Sequence, residues 1–173
     1  MSSQLHDFAH KRHHRPAVSD LKRELHNKYY ADCLDSNLEG FIHHPGDFPL
    51  SWRRIKKSKY LAQDETPGNL GLVFDSDKYI KPGTILELNI TLRGETQHFV
   101  GQVILVRNLE EHFEIGVWLS TREDAARARI VEQICHIESY LKQKRHREGP
   151  FISKERVTQE WITRFASRFP SLS

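Results

Sequence analysis

Cysteine is scarce in this chain. Only Cys33 and Cys135 occur in 173 residues, far apart and in no paired spacing, which excludes a disulfide scaffold and fits a reducing compartment. Long apolar runs are missing too, and residues 1–15 are polar and histidine-rich where a signal peptide needs an apolar stretch. The expectation is a cytoplasmic protein with no membrane insertion. Neither sign of charge dominates: 26 Lys and Arg face 23 Asp and Glu, for a net charge of +3. Nothing in that balance calls for a nucleic-acid or membrane partner, so any electropositive function must be local. The marks of catalysis are equally thin. No serine sits in a Gly-x-Ser-x-Gly elbow, no Gly-rich loop precedes a lysine, and no Cys–His pair stands in a recognisable order. Cys135 and His136 adjoin on a helix and point in different directions, which reads as a core cysteine and a rim histidine. Glu110-Glu111 and Glu123-Asp124 fall at a turn and at a helix start, where they meet solvent and the helix dipole. The expectation is no enzyme, no catalytic residue and no cofactor.

What is present is a chain the size of one domain. Residues 1–18 hold few large apolar side chains and cluster His10, Lys11, Arg12, His13, His14 and Arg15, the composition of a flexible basic arm. Residues 19–37 read as a helix: Ser19 is its cap, and Leu21, Leu25, Tyr29 and Cys33 form a stripe at four-residue steps. From Asp47 the pattern turns to short β-branched and aromatic runs separated by Thr66-Pro67-Gly68-Asn69, Lys81-Pro82-Gly83 and Arg93-Gly94-Glu95. Ile85 to Leu92 and Phe99 to Val106 predict a hairpin about Arg93-Gly94, and Phe113 to Leu119 a closing strand. About six consecutive antiparallel strands hide their edges by closing into a small barrel. After Thr121 the period becomes helical, with a stripe of Ala126, Ile130, Ile134, Ile137 and Leu141 ending near Gly149-Pro150. A last helix, within residues 150–173, is capped by Ser153 and carries Val157, Trp161, Phe165 and Phe169. The fold class is therefore mainly β with flanking helices: a barrel and its following helix over residues 38–149, a C-terminal helix, and an extra N-terminal one.

Two features suggest binding chemistry. His10, His13 and His14 have the donor type for zinc or nickel, but ordering a mobile arm costs entropy and no Cys or carboxylate sits at ligand spacing, so no metal is expected there. Arg53, Arg54, Lys56, Lys57 and Lys59 put five cations in seven residues between Trp52 and Tyr60 with no acid among them, where a phosphate-rich ligand or a nucleic-acid backbone could dock. Side chains alternate along a strand, so these charges split between two faces.

Specific text within this order resembles the PilZ domain family, whose common role is binding bacterial cyclic di-GMP on a six-stranded barrel. Phe41-Ile42-His43-His44-Pro45-Gly46-Asp47-Phe48-Pro49-Leu50 looks like the approach to the first barrel strand in one PilZ subgroup. Leu70-Gly71-Leu72-Val73-Phe74 looks like the start of the third strand. The run from Ala128 to Glu138 looks like that subgroup's helix, and Glu160-Trp161-Ile162-Thr163-Arg164-Phe165-Ala166 is similar to its last one. The resemblance spans roughly residues 38–170.

The family grips its ligand through an RxxxR before the first strand and a D/N-x-S-x-x-G at the end of the second. The arginines hold phosphates and stack on guanine. Here the first motif falls on Glu39 and His43, the second on Thr66, Gly68 and Gly71, and only Gly71 keeps the family's residue. Replacing an arginine by Glu39 turns attraction into repulsion. The resemblance implies a regulatory module of cyclic di-GMP signalling with weak or unconventional binding, with Lys11, Arg12 and Arg15, or Arg53 and Arg54, standing in for the lost arginines beside His43 and Gly71. The alternative is a nucleotide-blind adaptor that docks a protein of the surface-motility or biofilm machinery. Nucleic acid is not an expected partner.

Overall fold

The computed structural model describes residues 39–56 and 68–171. The expected arm and N-terminal helix, with Lys11, Arg12 and Arg15, lie outside the described residues, as do Lys57, Lys59 and Thr66.

Six strands form one sheet: β1 (Phe41–His43), β2 (Leu50–Arg54), β3 (Gly71–Ser76), β4 (Ile85–Leu92), β5 (Glu95–Asn108) and β6 (Phe113–Leu119). The order across it is β1-β3-β6-β5-β4-β2. The expected hairpin is present. Arg93 and Gly94 both take positive φ, 53° and 84°, giving the two-residue reversal whose twist matches the flanking strands.

The all-antiparallel barrel expected from the sequence is corrected in one respect. β1 runs parallel to β3, pairing Phe41 with Gly71 and His43 with Val73, so the sheet is mixed; among the described residues no ladder joins β1 to β2, so it is also open. The expectation treated successive strands as successive hairpins. Only β4-β5 and β5-β6 are neighbours in that way, whereas β1, β2 and β3 each pair with a strand distant in sequence.

Alternation along the strands makes one face mainly apolar. Ile42, Leu72, Phe74, Val117, Val103, Phe99, Leu88 and Ile90 are all buried there, and Leu50 and Trp52 of the far edge strand pack against the same core. Both edges thus serve one interior.

Helix α1 (Arg122–Glu148) begins at Thr121, whose hydroxyl accepts the Asp124 backbone N–H at 3.0 Å, and stops at Gly149. Acids in its first turn and Arg145, His146 and Arg147 in its last complement the helix dipole. The predicted stripe is corrected: Ile130 is 58 % exposed. The buried face runs through Ala125, Ala128, Val131, Glu132, Cys135, His136, Ser139, Tyr140 and Leu141, so of the predicted stripe Leu141 is buried and Ile137 packs against the core. This face lies inward because its polar members find partners there, described below. Helix α2 (Lys154–Phe165) starts on Ser153, as expected, and a short 3-10 turn (Ala166–Arg168) follows. Val157, Trp161 and Phe169 are buried, with Phe165 half-buried beside them. Among the described residues no helix is long and apolar enough to cross a membrane.

Candidate functional site on the outer face of the sheet

The face opposite the core is not uniformly polar where β1, β3 and β6 meet. Register places Phe41 and His43 of β1, Gly71, Val73 and Asp75 of β3, and Trp118, Gly116 and Glu114 of β6 on this one side. Two glycines make it possible. A Cβ on Gly71 would lie 2.3 Å from the Phe41 ring, and one on Gly116 would lie 2.8 Å from Leu105 and 3.2 Å from that same ring. The Phe41 ring therefore lies across both backbones and meets the edge of Trp118, with centroids 5.3 Å apart at 65°. Trp118 Nε1 in turn donates to the Gly68 carbonyl at 3.0 Å.

Gly71, expected as a ligand contact, is thus explained by the aromatic ring seated on it. Gly71→Ala is expected to dislodge Phe41 and lower stability by about 1–3 kcal/mol, the cost of overpacking. Chemical denaturation of that variant, and of the Phe41→Ala/Gly71→Ala pair in which the clash is gone, measures it; equal losses in both would refute the seat.

His43 sits on the same face, but it is 6 % exposed. Its Nε2 lies 3.7 Å from Asp75 Oδ1, and its backbone carbonyl accepts the Nε2–H of His136 at 2.8 Å. Asp75 pairs across the ladder with Glu114, which is 5 % exposed and holds Arg107 through Oε1, with Nε at 2.6 Å. His112, in the turn before β6, approaches Asp75 Oδ1 at 3.4 Å. The position aligned with the family's first arginine, Glu39, is exposed.

Arg53 and Arg54 are both exposed, and they belong to opposite faces of β2. Arg53 is engaged with Glu87 through two bonds of 2.8 Å, so this cation already has a counter-ion, which raises its pKa further. Arg53 and Arg54 pair opposite β4, on the sheet edge away from β1. Of the expected ligand residues that are described, then, only His43 and Gly71 come together.

Behind this face lies a buried polar group that sequence reasoning missed. Glu132 of α1 is wholly buried and its Oε1 is 2.7 Å from His44 Nδ1. His44 Nε2 donates to the Phe48 carbonyl at 3.2 Å. A carbonyl only accepts, so Nε2 carries a proton, and Glu132 beside Nδ1 favours the doubly protonated imidazolium. Burial opposes that charge most strongly, but Glu132, the Phe48 carbonyl and Asp47 together outweigh it, and the His44 pKa is raised. His136, correctly placed on the helix but not at its rim, is 1 % exposed; burial drives its pKa down to about 4, against the pull of Glu132, so it is neutral at pH 7. Cys135 is buried as expected, and burial pushes its thiol pKa up, so it is inert as a nucleophile.

Compared with protein families, with curated proteins and with solved structures, the chain gives no match.

Proposed function

We propose that this chain is a PilZ-type regulatory module that works as an adaptor, docking a protein partner of the cyclic di-GMP signalling network without itself depending on the nucleotide. One observation carries the reading. The outer face of β1 and β3, where the PilZ resemblance puts the ligand, carries Asp75 and the enclosed Glu114 along with an aromatic pair, and Glu39 precedes β1, where the resemblance expects arginines. A cyclic dinucleotide brings two phosphates, which need bidentate cations to offset their lost hydration. Arg107, the cation on Glu114, is spent on that carboxylate. The barrel architecture that the reading implies is supported by the shared interior: Ile42 on one edge of the sheet and Leu50 and Trp52 on the other pack into one cluster, as strands curling toward closure do.

The test is calorimetric titration of the full chain with cyclic di-GMP at moderate salt. No heat is expected at micromolar concentrations. Micromolar binding would overturn the adaptor, and its loss in a Lys11→Ala/Arg12→Ala/Arg15→Ala variant would instead make the chain a receptor whose arm supplies the missing cations.

A further inference from the structure

The ligand-type atoms of His43, Asp75 and Glu114, one residue from each of three adjacent strands, lie within 4.8 Å of one another. We propose that these three residues, with His112 beside Asp75, form a binding site for a divalent transition metal of the zinc class.

The spacings are those of ligands around an ion more than those of hydrogen bonds. His43 Nε2 stands 3.7 Å and His112 Nε2 3.4 Å from Asp75 Oδ1. An imidazole bonded to a carboxylate closes to roughly 2.7–3.2 Å. Donor atoms at the corners of a tetrahedron around zinc, with bonds of about 2.0–2.1 Å, are separated by about 3.3 Å. His112 Nε2 adds an independent sign: the atom is shielded from solvent and has no hydrogen-bond partner, although it is aimed at the Asp75 carboxylate. A buried ring nitrogen in that state is costly unless something takes its lone pair.

Each donor is positioned by the fold. The bond from His136 to the His43 carbonyl fixes the end of β1, so its imidazole faces outward over β3. The tight turn before β6, with Glu110 at φ 67° and Leu109 N–H on the His112 carbonyl at 2.9 Å, sets His112 beside Glu114. Two carboxylates stand in the cluster, and Arg107 reaches Glu114 through Oε1. Two imidazoles and two carboxylates without a thiolate are borderline donors, suited to zinc and its neighbours more than to calcium or magnesium. Access is from the side of Asp75 and His112, which are 30 % and 34 % exposed, while His43 and Glu114 are enclosed. The site draws its three clustered ligands one from each of three strands, and His112 adjoins them through Asp75. Its effect would be to pin β1, held otherwise by a three-residue parallel ladder, to β3 and β6, and so to fix the surface the adaptor presents.

The test uses metal-stripped full-length protein titrated with Co²⁺, whose visible absorption reports tetrahedral coordination, followed by displacement with Zn²⁺. The arm histidines are the competing source, so a His10→Ala/His13→Ala/His14→Ala variant is titrated in parallel. The expected result is a saturable tetrahedral spectrum that survives in the arm variant and a melting temperature that rises with Zn²⁺. Asp75→Asn and His112→Ala, both at partly exposed positions, are each expected to weaken binding by more than about tenfold while still melting cooperatively without metal. Absence of a Co²⁺ spectrum, or one that follows the arm histidines and ignores Asp75 and His112, overturns the site.

Discussion

Glu132→Ala is expected to lower the unfolding free energy by about 3–5 kcal/mol, the cost of breaking a buried ion pair by removing one partner. The variant leaves His44 beside a void, facing only the Phe48 carbonyl and the more distant Asp47 charge, and it must either stay charged without its carboxylate or give up its proton. For a chain of this length such a loss lowers the melting temperature by about 6–20 °C. Replacing both partners, as His44→Leu with Glu132→Leu, is expected to cost less than Glu132→Ala alone, because no orphaned charge remains. A pH series of denaturant unfolding adds a second readout with a determinate sign. The His44 pKa is raised in the folded state, so its contribution is fully present below the unfolded value of 6.5 and is lost as pH rises through the raised one. His136 acts oppositely. Its pKa is held at about 4, so between that value and 6.5 the unfolded chain binds a proton the folded one refuses, and stability falls as pH falls. The wild-type curve should peak near pH 6.5, with Glu132, His44, His43 and Asp47 the charged groups around these rings. In Glu132→Gln the decline above the peak should vanish; its persistence would show that Glu132 does not hold the His44 proton.

The buried ion pair also marks where reading the sequence fails. Ile85–Leu92 and Phe113–Leu119 were legible to the residue because apolar side chains alternate there between turn signals, and Thr121 and Gly149 bracketed α1 by ordinary capping chemistry. The face of α1 was not legible. An apolar stripe through Ile130 and Ile134 is a stronger periodic signal than one containing Glu132, His136 and Ser139, yet the second is buried, since Glu132 finds His44, His136 finds the His43 carbonyl and Ser139 finds Asp47 at 2.8 Å. Pairings across some ninety residues leave no local trace. The parallel docking of β1 on β3 is hidden for the same reason. At the candidate site His43 was visible through a family motif, while Asp75, Glu114 and His112 were passed over. A signal was there: Glu114 is a carboxylate inside an otherwise apolar strand, and period-two alternation puts it on the face away from Ile115 and Phe113.

Trp161→Ala is expected to cost about 3–5 kcal/mol, and to do so by releasing α2 before the sheet unfolds. Trp161 is wholly buried, with its ring 5.4 Å from Phe169, 6.2 Å from Phe165 and 6.4 Å from His136 between centroids. Helix α2 has 12 residues, too short to persist in water alone, so its existence depends on this apolar seat. Polar links to α1 are present, with Glu160 accepting from Tyr140 at 2.7 Å and contacting Lys144 at 3.0 Å. They are part-buried polar contacts at the edge of the seat, fewer than the apolar contacts of the indole, so they are not expected to hold the helix once that ring is gone. Limited proteolysis should therefore cut the variant within α2 while the sheet stays resistant, and far-UV circular dichroism should show a loss confined to a short helix. His136 supplies an internal check. Its ring meets the edge of Phe169 at 5.1 Å, and burial is the chief reason its pKa lies near 4. Admitting water on that side should raise the His136 pKa toward 6.5, a change that NMR titration reads directly. An unchanged His136 pKa together with a uniformly lowered melting temperature would mean that α2 stays docked through its remaining contacts and that Trp161 only fills volume.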